Sequence, residues 1–102
     1  MAVYVDSEYI EWRGKTWCHL VADSVAELHA FAKRLGLKRQ WFQGGSSYPH
    51  YDVTASMQQR ALRMGALPAD RRTIVECGRR MRAELHADLR ESASLVLVFA
   101  TD

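Results

Sequence analysis

The sequence predicts an α/β fold: a single small domain in which a mixed sheet of about four strands is covered by three helices. Three observations carry this expectation. Strand-length apolar runs stand at residues 2–5, 16–22 and 94–99, and a further strand or extended segment anchored by Trp41 and Phe42 at 37–43. Stretches with apolar side chains three and four residues apart lie between them, at 24–35, 54–64 and 70–89. A helix-capping residue heads each of these stretches, and a glycine follows the first two. At 102 residues the chain can bury a core without disulfides or a structural metal.

The first strand, 2–5, ends in Asp6. A polar connection with Trp12 and Arg13 follows, and Gly14-Lys15 makes a turn. In the second strand, T-W-C-H-L-V-A, a period of two puts Trp17, His19 and Val21 on one face. Cys18, Leu20 and Ala22 take the other. Both faces are mostly apolar, so this strand is expected at the centre of the sheet with His19 shielded from water. The first helix opens with a capping box, Ser24 to Glu27, and buries Leu28, Phe31, Ala32 and Leu35. Gly36 followed by Leu37 is a left-handed stop. Residues 37–43 read as a third strand or extended segment anchored by Trp41 and Phe42, and 44–47 as a flexible loop. Thr54 caps the second helix, with Met57, Ala61 and Leu62 inward and Gly65 at its end. Residues 66–68 form a short extended bridge. Asp70 caps the third helix, whose inner stripe is Ile74, Cys77 or Gly78, Met81, Leu85 and Leu89. The apolar run 94–99 reads as a last strand.

Charge excludes little. The net value is +2. Residues 60–90 carry eight arginines against Asp70, Glu76, Glu84 and Asp88, eight minus four, or +4. Arg72, Glu76, Arg80 and Glu84 alternate in sign at four-residue spacing, which is the pattern of a solvated, ion-paired face. Weak nucleic-acid binding through this half is the alternative. Cys18 and Cys77 match no zinc or C-x-x-C spacing and read as reduced thiols in a cytoplasmic protein. No apolar run approaches membrane length.

The chemistry-bearing residues gather around the stretch S-S-Y-P-H-Y-D-V-T-A-S, 46–56. Pro49 holds Tyr48 extended, and His50, Tyr51 and Asp52 follow side by side. Asp6 and Asp23 end or follow strands, where open α/β sheets collect ligands. Asp6, His19, Asp23, His50 and Asp52 therefore form the candidate constellation. His19, His50 and Asp52 are the candidate catalytic and metal-ligating residues, suited to Zn, Mn or Fe, which would activate water against a phosphoester. His50 or His19 would serve as acid-base group. Asp6, Trp12, Arg13, Asp23, His29, Tyr48 and Tyr51 complete the candidate ligand set, and Arg13 or Arg39 would meet phosphate. Aromatic side chains at 12, 17, 41, 42, 48 and 51 offer stacking surfaces for a nucleotide. The same residues also fit a structural reading. In it Asp23 caps the first helix, His19 is a satisfied core histidine and His50 ties down a loop. Cys18 and His19 point to opposite faces, so a cysteine nucleophile is not favoured.

The segments V-Y-V-D at 3–6, W-R-G at 12–14, W-C-H-L-V-A-D-S at 17–24, E-L-H-A-F-A at 27–32, L-G-L at 35–37 and P-H-Y-D-V at 49–53 carry a resemblance. Together they resemble a small bacterial and phage family, the domain of unknown function numbered 4031, over about residues 3–67. The resemblance places family histidines and aspartates at His19, Asp23, His29, His50 and Asp52, with Tyr51 between the last two. Some relatives are similar to fusions with phosphohydrolase domains of the histidine-aspartate type, which implies nucleotides or phosphoesters. Together with the His/Asp constellation, the expected function is binding of a nucleotide or other phosphate-bearing ligand, with a divalent metal as the candidate cofactor. A protein-interaction factor without catalysis, docking on a host protein or on a second copy of itself, is the other expectation.

Overall fold

The computed structural model describes the backbone of residues 1–100 and the side chains of residues 1–91. It is an α/β domain with a mixed five-stranded sheet and three α-helices. The strands are β1 (Val3–Val5), β2 (Ile10–Trp12), β3 (Lys15–Ala22), β4 (Tyr51–Thr54) and β5 (Leu67–Pro68). The helices are α1 (Val25–Leu35), α2 (Ala55–Arg63) and α3 (Arg71–Ala100). A 3₁₀ turn, Arg39–Trp41, follows α1.

Strand β3 is the spine. Its one edge pairs antiparallel with β4 in the register Trp17↔Thr54, Cys18↔Val53, His19↔Asp52 and Leu20↔Tyr51. The other edge pairs antiparallel with β1 near Leu20 and with β2 near Trp17. Strands β1 and β2 are thus two halves of one interrupted line. Val5 sits opposite Leu20 and Ile10 opposite Trp17, so residues 6–9 face only Cys18 and His19. This is an enlarged bulge. β5 adds to β1 in parallel. The β2–β3 turn has positive φ at both Arg13 (50°) and Gly14 (76°), the conformation that matches strand twist in a two-residue hairpin.

The α1 expectation holds at both ends. Ser24 Oγ accepts the Glu27 N–H at 3.2 Å. Gly36 has φ 99°, and Leu37 N–H reaches Ala32 O at 2.9 Å, closing a Schellman motif. Leu28, Phe31, Ala32 and Leu35 are buried, as the periodicity predicts. Thr54 Oγ1 accepts from Met57 N–H at 3.4 Å and Asp70 Oδ1 from Thr73 N–H at 2.8 Å, so both further caps stand where expected. The core joins Val5, Leu20, Val21, Leu28, Leu35, Tyr51, Val53 and Met81, with Ile74 and Cys77 from α3.

Four expectations need correction. Residues 37–43 form no strand: the chain turns through Arg39–Trp41, leaving Trp41 exposed, and only Gln43 bridges, to His50. The strand beside β3 is instead β4, too short and too polar on one side to register as an apolar run. The connection 7–14 holds β2, whose side chains are exposed and so carry no burial signal. Finally, α3 continues to Ala100, so 94–99 is helical and adds no strand. No glycine or proline follows Gly78, so nothing in the sequence stops the helix.

Candidate metal centre

The bulge in the β1–β2 line creates the site's foundation. It deprives the His19 backbone N–H of a strand partner, and the Asp6 side chain takes that place. Asp6 Oδ1 accepts this N–H at 2.8 Å, and Oδ2 accepts the His19 ring Nδ1 at 2.7 Å. Asp6 is 3% exposed. Its own backbone carbonyl accepts from Gln58 Nε2 on α2 at 3.0 Å, and Gln58 Oε1 accepts the Tyr9 hydroxyl at 3.0 Å. Gln58 therefore pins the bulge from below. With Nδ1 carrying the proton toward Asp6, the lone pair of His19 is left at Nε2, which accepts or donates no bond among the described residues. The hydrogen bond to Asp6 pushes the His19 pKa up, against the lowering effect of partial burial.

The His19↔Asp52 register puts these two side chains on one sheet face as a cross-strand pair. His50 arrives from the loop before β4. Its ring stands 5.0 Å from the His19 ring, centroid to centroid, at 76°. The His50 Nδ1 lies 2.6 Å from the Tyr48 carbonyl oxygen and so donates to it. Its Nε2 faces Asp52 Oδ1 at 3.2 Å. Both ring nitrogens thus face oxygen atoms, one from a backbone carbonyl and one from a carboxylate. The hydrogen bond from His50 holds the Asp52 carboxyl below the ordinary range. One ligand atom each from His19, His50 and Asp52 lies within 4.8 Å of the other two.

The loop that delivers His50 is set by contact with α3. Pro49 is buried. A Cβ on Gly78 would stand 2.7 Å from Tyr48 Cβ and 2.9 Å from Tyr48 Cα, closer than atoms tolerate. Glycine in mid-helix lets α3 and the Tyr48 backbone approach, and that backbone supplies the His50 acceptor. A cavity of about 580 Å³ opens here, lined by His19, His50, Asp6 and Glu8 with Ser46, Tyr48 and Arg71 at its margin. Another hollow, of about 420 Å³ between Val3, Phe31 and Met64, holds no histidine or aspartate.

The remaining candidate residues divide. Trp12 lies 6.5 Å from Trp17, edge-on, and both flank His19 and Asp52 in a smaller hollow. Arg13 sits on the hairpin turn with its guanidinium 4.6 Å from the Trp12 ring centre. Asp23 does not join. It lies at the opposite end of β3, where it accepts Ala2 N–H at 2.8 Å and meets Arg80 at 3.5 Å. Nor does Asp23 cap α1, which Ser24 does. The grouping of Asp6 with Asp23 presumes parallel strands, but β1 and β3 run antiparallel, so their carboxyl ends lie apart. His29 and Tyr51 lie on the other sheet face. His29 Nδ1 bonds the Tyr51 hydroxyl at 2.8 Å, Arg39 Nε reaches the same imidazole, and burial pushes the His29 pKa down. Arg39 is thereby engaged away from the cavity. Cys18 faces away from His19, fully buried, and burial pushes its thiol up. The sequence pattern misses Gln58, Glu8 and Arg71. Of these only Arg71 carries a signal, standing directly after the Asp70 cap at the start of α3. On α3, Arg72 pairs with Glu76 at 3.1 Å, while Glu84 accepts the Val25 N–H at 2.8 Å instead of meeting Arg80. Among the described residues no helix is long and apolar enough to cross a membrane.

The fold and the cluster define a small α/β domain that gathers two imidazoles and a carboxylate on one sheet face. The chain belongs to the family described as "Protein of unknown function (DUF4031)", whose model matches residues 3–87. The match extends past the motif-bearing part into α3 and covers every residue of the cluster. No curated protein and no solved structure matches the chain.

Proposed function

We propose that the protein binds a divalent metal through His19 Nε2, His50 Nε2 and Asp52 Oδ1. Through that metal it binds a nucleotide or other phosphate-bearing ligand. The observation that carries this reading is the convergence of the three ligand atoms within 4.8 Å, on an imidazole already aimed by a buried carboxylate. Two imidazoles and one carboxylate suit Zn, Mn or Fe. A carboxylate behind a ligating histidine fixes its tautomer and raises its basicity. Three protein ligands leave positions for a water and a phosphate oxygen. Arg71 at the cavity margin offers the counter-charge that neither Arg13 nor Arg39 provides there.

A divalent ion held by His19, His50 and Asp52 would supply Lewis-acid activation of water toward a phosphoester. His19 and His50 then act as ligands and not as acid-base groups. Two buried free thiols, Cys18 and Cys77, support reading the protein as one that works in a reducing cytoplasm.

Calorimetric titration with Mn and Zn tests the reading. Binding is expected for the wild type. His19→Ala, His50→Ala and Asp52→Ala should each weaken it by at least about tenfold. A folded protein that takes up neither metal, or takes it up unchanged in all three variants, would overturn the reading.

A further inference from the structure

The metal cluster does not sit at the bottom of a closed cup. The cavity holding Tyr48 and Arg71 shares Ile10 and His19 with the smaller hollow at Trp12, Trp17 and Asp52. That hollow in turn shares Trp12, Trp17 and Asp52 with a third, of about 600 Å³, which reaches Trp41 and Gln40. The three hollows adjoin through these shared residues, with His19 and Asp52 at their junctions and His50 lining the first, and read together as one groove. Strand β3 supplies the floor from Lys15 to His19, a span of roughly 13 Å at ordinary strand rise.

The two wings differ. The far wing is walled by Trp12, Trp17 and Trp41, with Trp12 58% and Trp41 46% exposed. Exposed tryptophan next to a polar centre is costly surface that planar ligands cover well. Cations accompany it: Arg13 lies 4.6 Å from the Trp12 ring centre, Lys38 Nζ 5.6 Å from that of Trp41, and Lys15 lines the same hollow. Among the described residues its sole acidic lining residue is Asp52, which belongs to the cluster. A wall of indoles edged by basic groups is the chemistry of stacked bases on a phosphodiester chain. The near wing offers Tyr48 and Arg71 and also carries the carboxylates of Asp6 and Glu8, so bases and backbone are expected to favour the tryptophan wing.

We propose that the groove takes a short single-stranded nucleic acid, with one phosphodiester over the His19–His50–Asp52 cluster and bases stacked on the tryptophan wing. This rests on the metal reading for the position of that phosphate and narrows its ligand from any phosphate compound to a chain. The arginines of α3 play no part in it, since they lie outside the groove apart from Arg71.

The test uses end-labelled DNA and RNA strands of about six nucleotides, followed by anisotropy, with nucleoside monophosphate as competitor. Metal uptake is measured on the same protein samples. The strand is expected to bind at least about tenfold more tightly than the monophosphate, with an affinity that falls as salt rises. Trp41→Ala and Trp12→Ala should each cost roughly fivefold or more in strand affinity, and Trp41→Ala should leave Mn uptake unchanged. Whichever of DNA and RNA binds more tightly identifies the source of the chain. Metal uptake with no preference for strand over monophosphate would overturn the proposal and leave the metal site standing. Strand affinity indifferent to both tryptophans would also overturn it, as would tighter binding of an acidic peptide. Tryptophan-dependent strand binding without metal uptake would support the groove and remove the metal reading.

Discussion

Asp6 grips His19 twice, with Oδ1 on its backbone N–H at 2.8 Å and Oδ2 on its ring Nδ1 at 2.7 Å. One buried side chain thereby repairs a break in the sheet and aims an imidazole into the cavity. Its carboxylate also makes the histidine's charge sensitive to this one contact.

The pH dependence of stability follows from that contact. The folded-state pKa of His19 is raised above its unfolded value, chiefly by the hydrogen bond to Asp6. Its contribution to stability is therefore fully present below the unfolded value of about 6.5 and is lost as pH rises through the folded value. Asp6→Asn should destabilise the protein more at mildly acidic than at alkaline pH, and should lower the His19 pKa. Urea unfolding across that range, with imidazole proton shifts by NMR, checks both.

Metal uptake runs the opposite way. The ligands must shed protons, so affinity for Mn or Zn should climb as pH rises through neutrality, and binding should release protons. Calorimetry in buffers of different ionisation enthalpy counts them. A pH-independent affinity would contradict the assigned ligands. Asp52 has its carboxyl held low by His50, so its share of stability persists above the ordinary carboxylate range and fades only as pH falls through the depressed value.

Gly78→Ala separates helix propensity from packing. Alanine is the better helix former by about 1 kcal/mol. Here, however, its Cβ would meet Tyr48 backbone and side-chain carbons at 2.9 and 2.7 Å. The substitution should therefore destabilise by roughly 1–3 kcal/mol. It should also weaken metal uptake by shifting the carbonyl that orients His50. Denaturation and metal titration of one variant measure both effects.

Gln58→Ala should leave the Asp6 carbonyl and the Tyr9 hydroxyl without their partner, at a cost of about 1–3 kcal/mol. Ser24→Ala, which removes an N-cap far from the cluster, should cost about 1 kcal/mol. Metal affinity should fall in the first and hold in the second. Equal behaviour in both variants would deny Gln58 its positioning role.

The cysteines supply a control on the packing. Cys18 and Cys77 are 0% and 1% exposed, and burial pushes both thiols up. Aromatic disulfide reagents should label neither until the chain unfolds.

What the sequence made legible follows from range. The α1 boundaries rest on contacts within a few residues, Ser24 to Glu27 and Gly36 to Ala32, and such contacts are written locally. The β3 alternation was legible for the same reason. Strand β4 was not, because Asp52 and Thr54 break its apolar run and only pairing with β3 makes it a strand. Two members of the cluster, His50 and Asp52, are near neighbours in sequence. Their meeting with His19 depends on a register across more than thirty residues, which spacing alone does not reveal. Asp23 was misplaced by the assumption that strand ends share an edge, and Arg71 was hidden because only the tertiary fold turns the start of α3 toward the bulge.

The chain's three tryptophans, Trp12, Trp17 and Trp41, all border one hollow beside the cluster. Intrinsic ultraviolet emission from the molecule therefore originates almost wholly at one address. Any occupant of the groove would quench or shift it without a dye being attached, and the protein serves as its own optical probe.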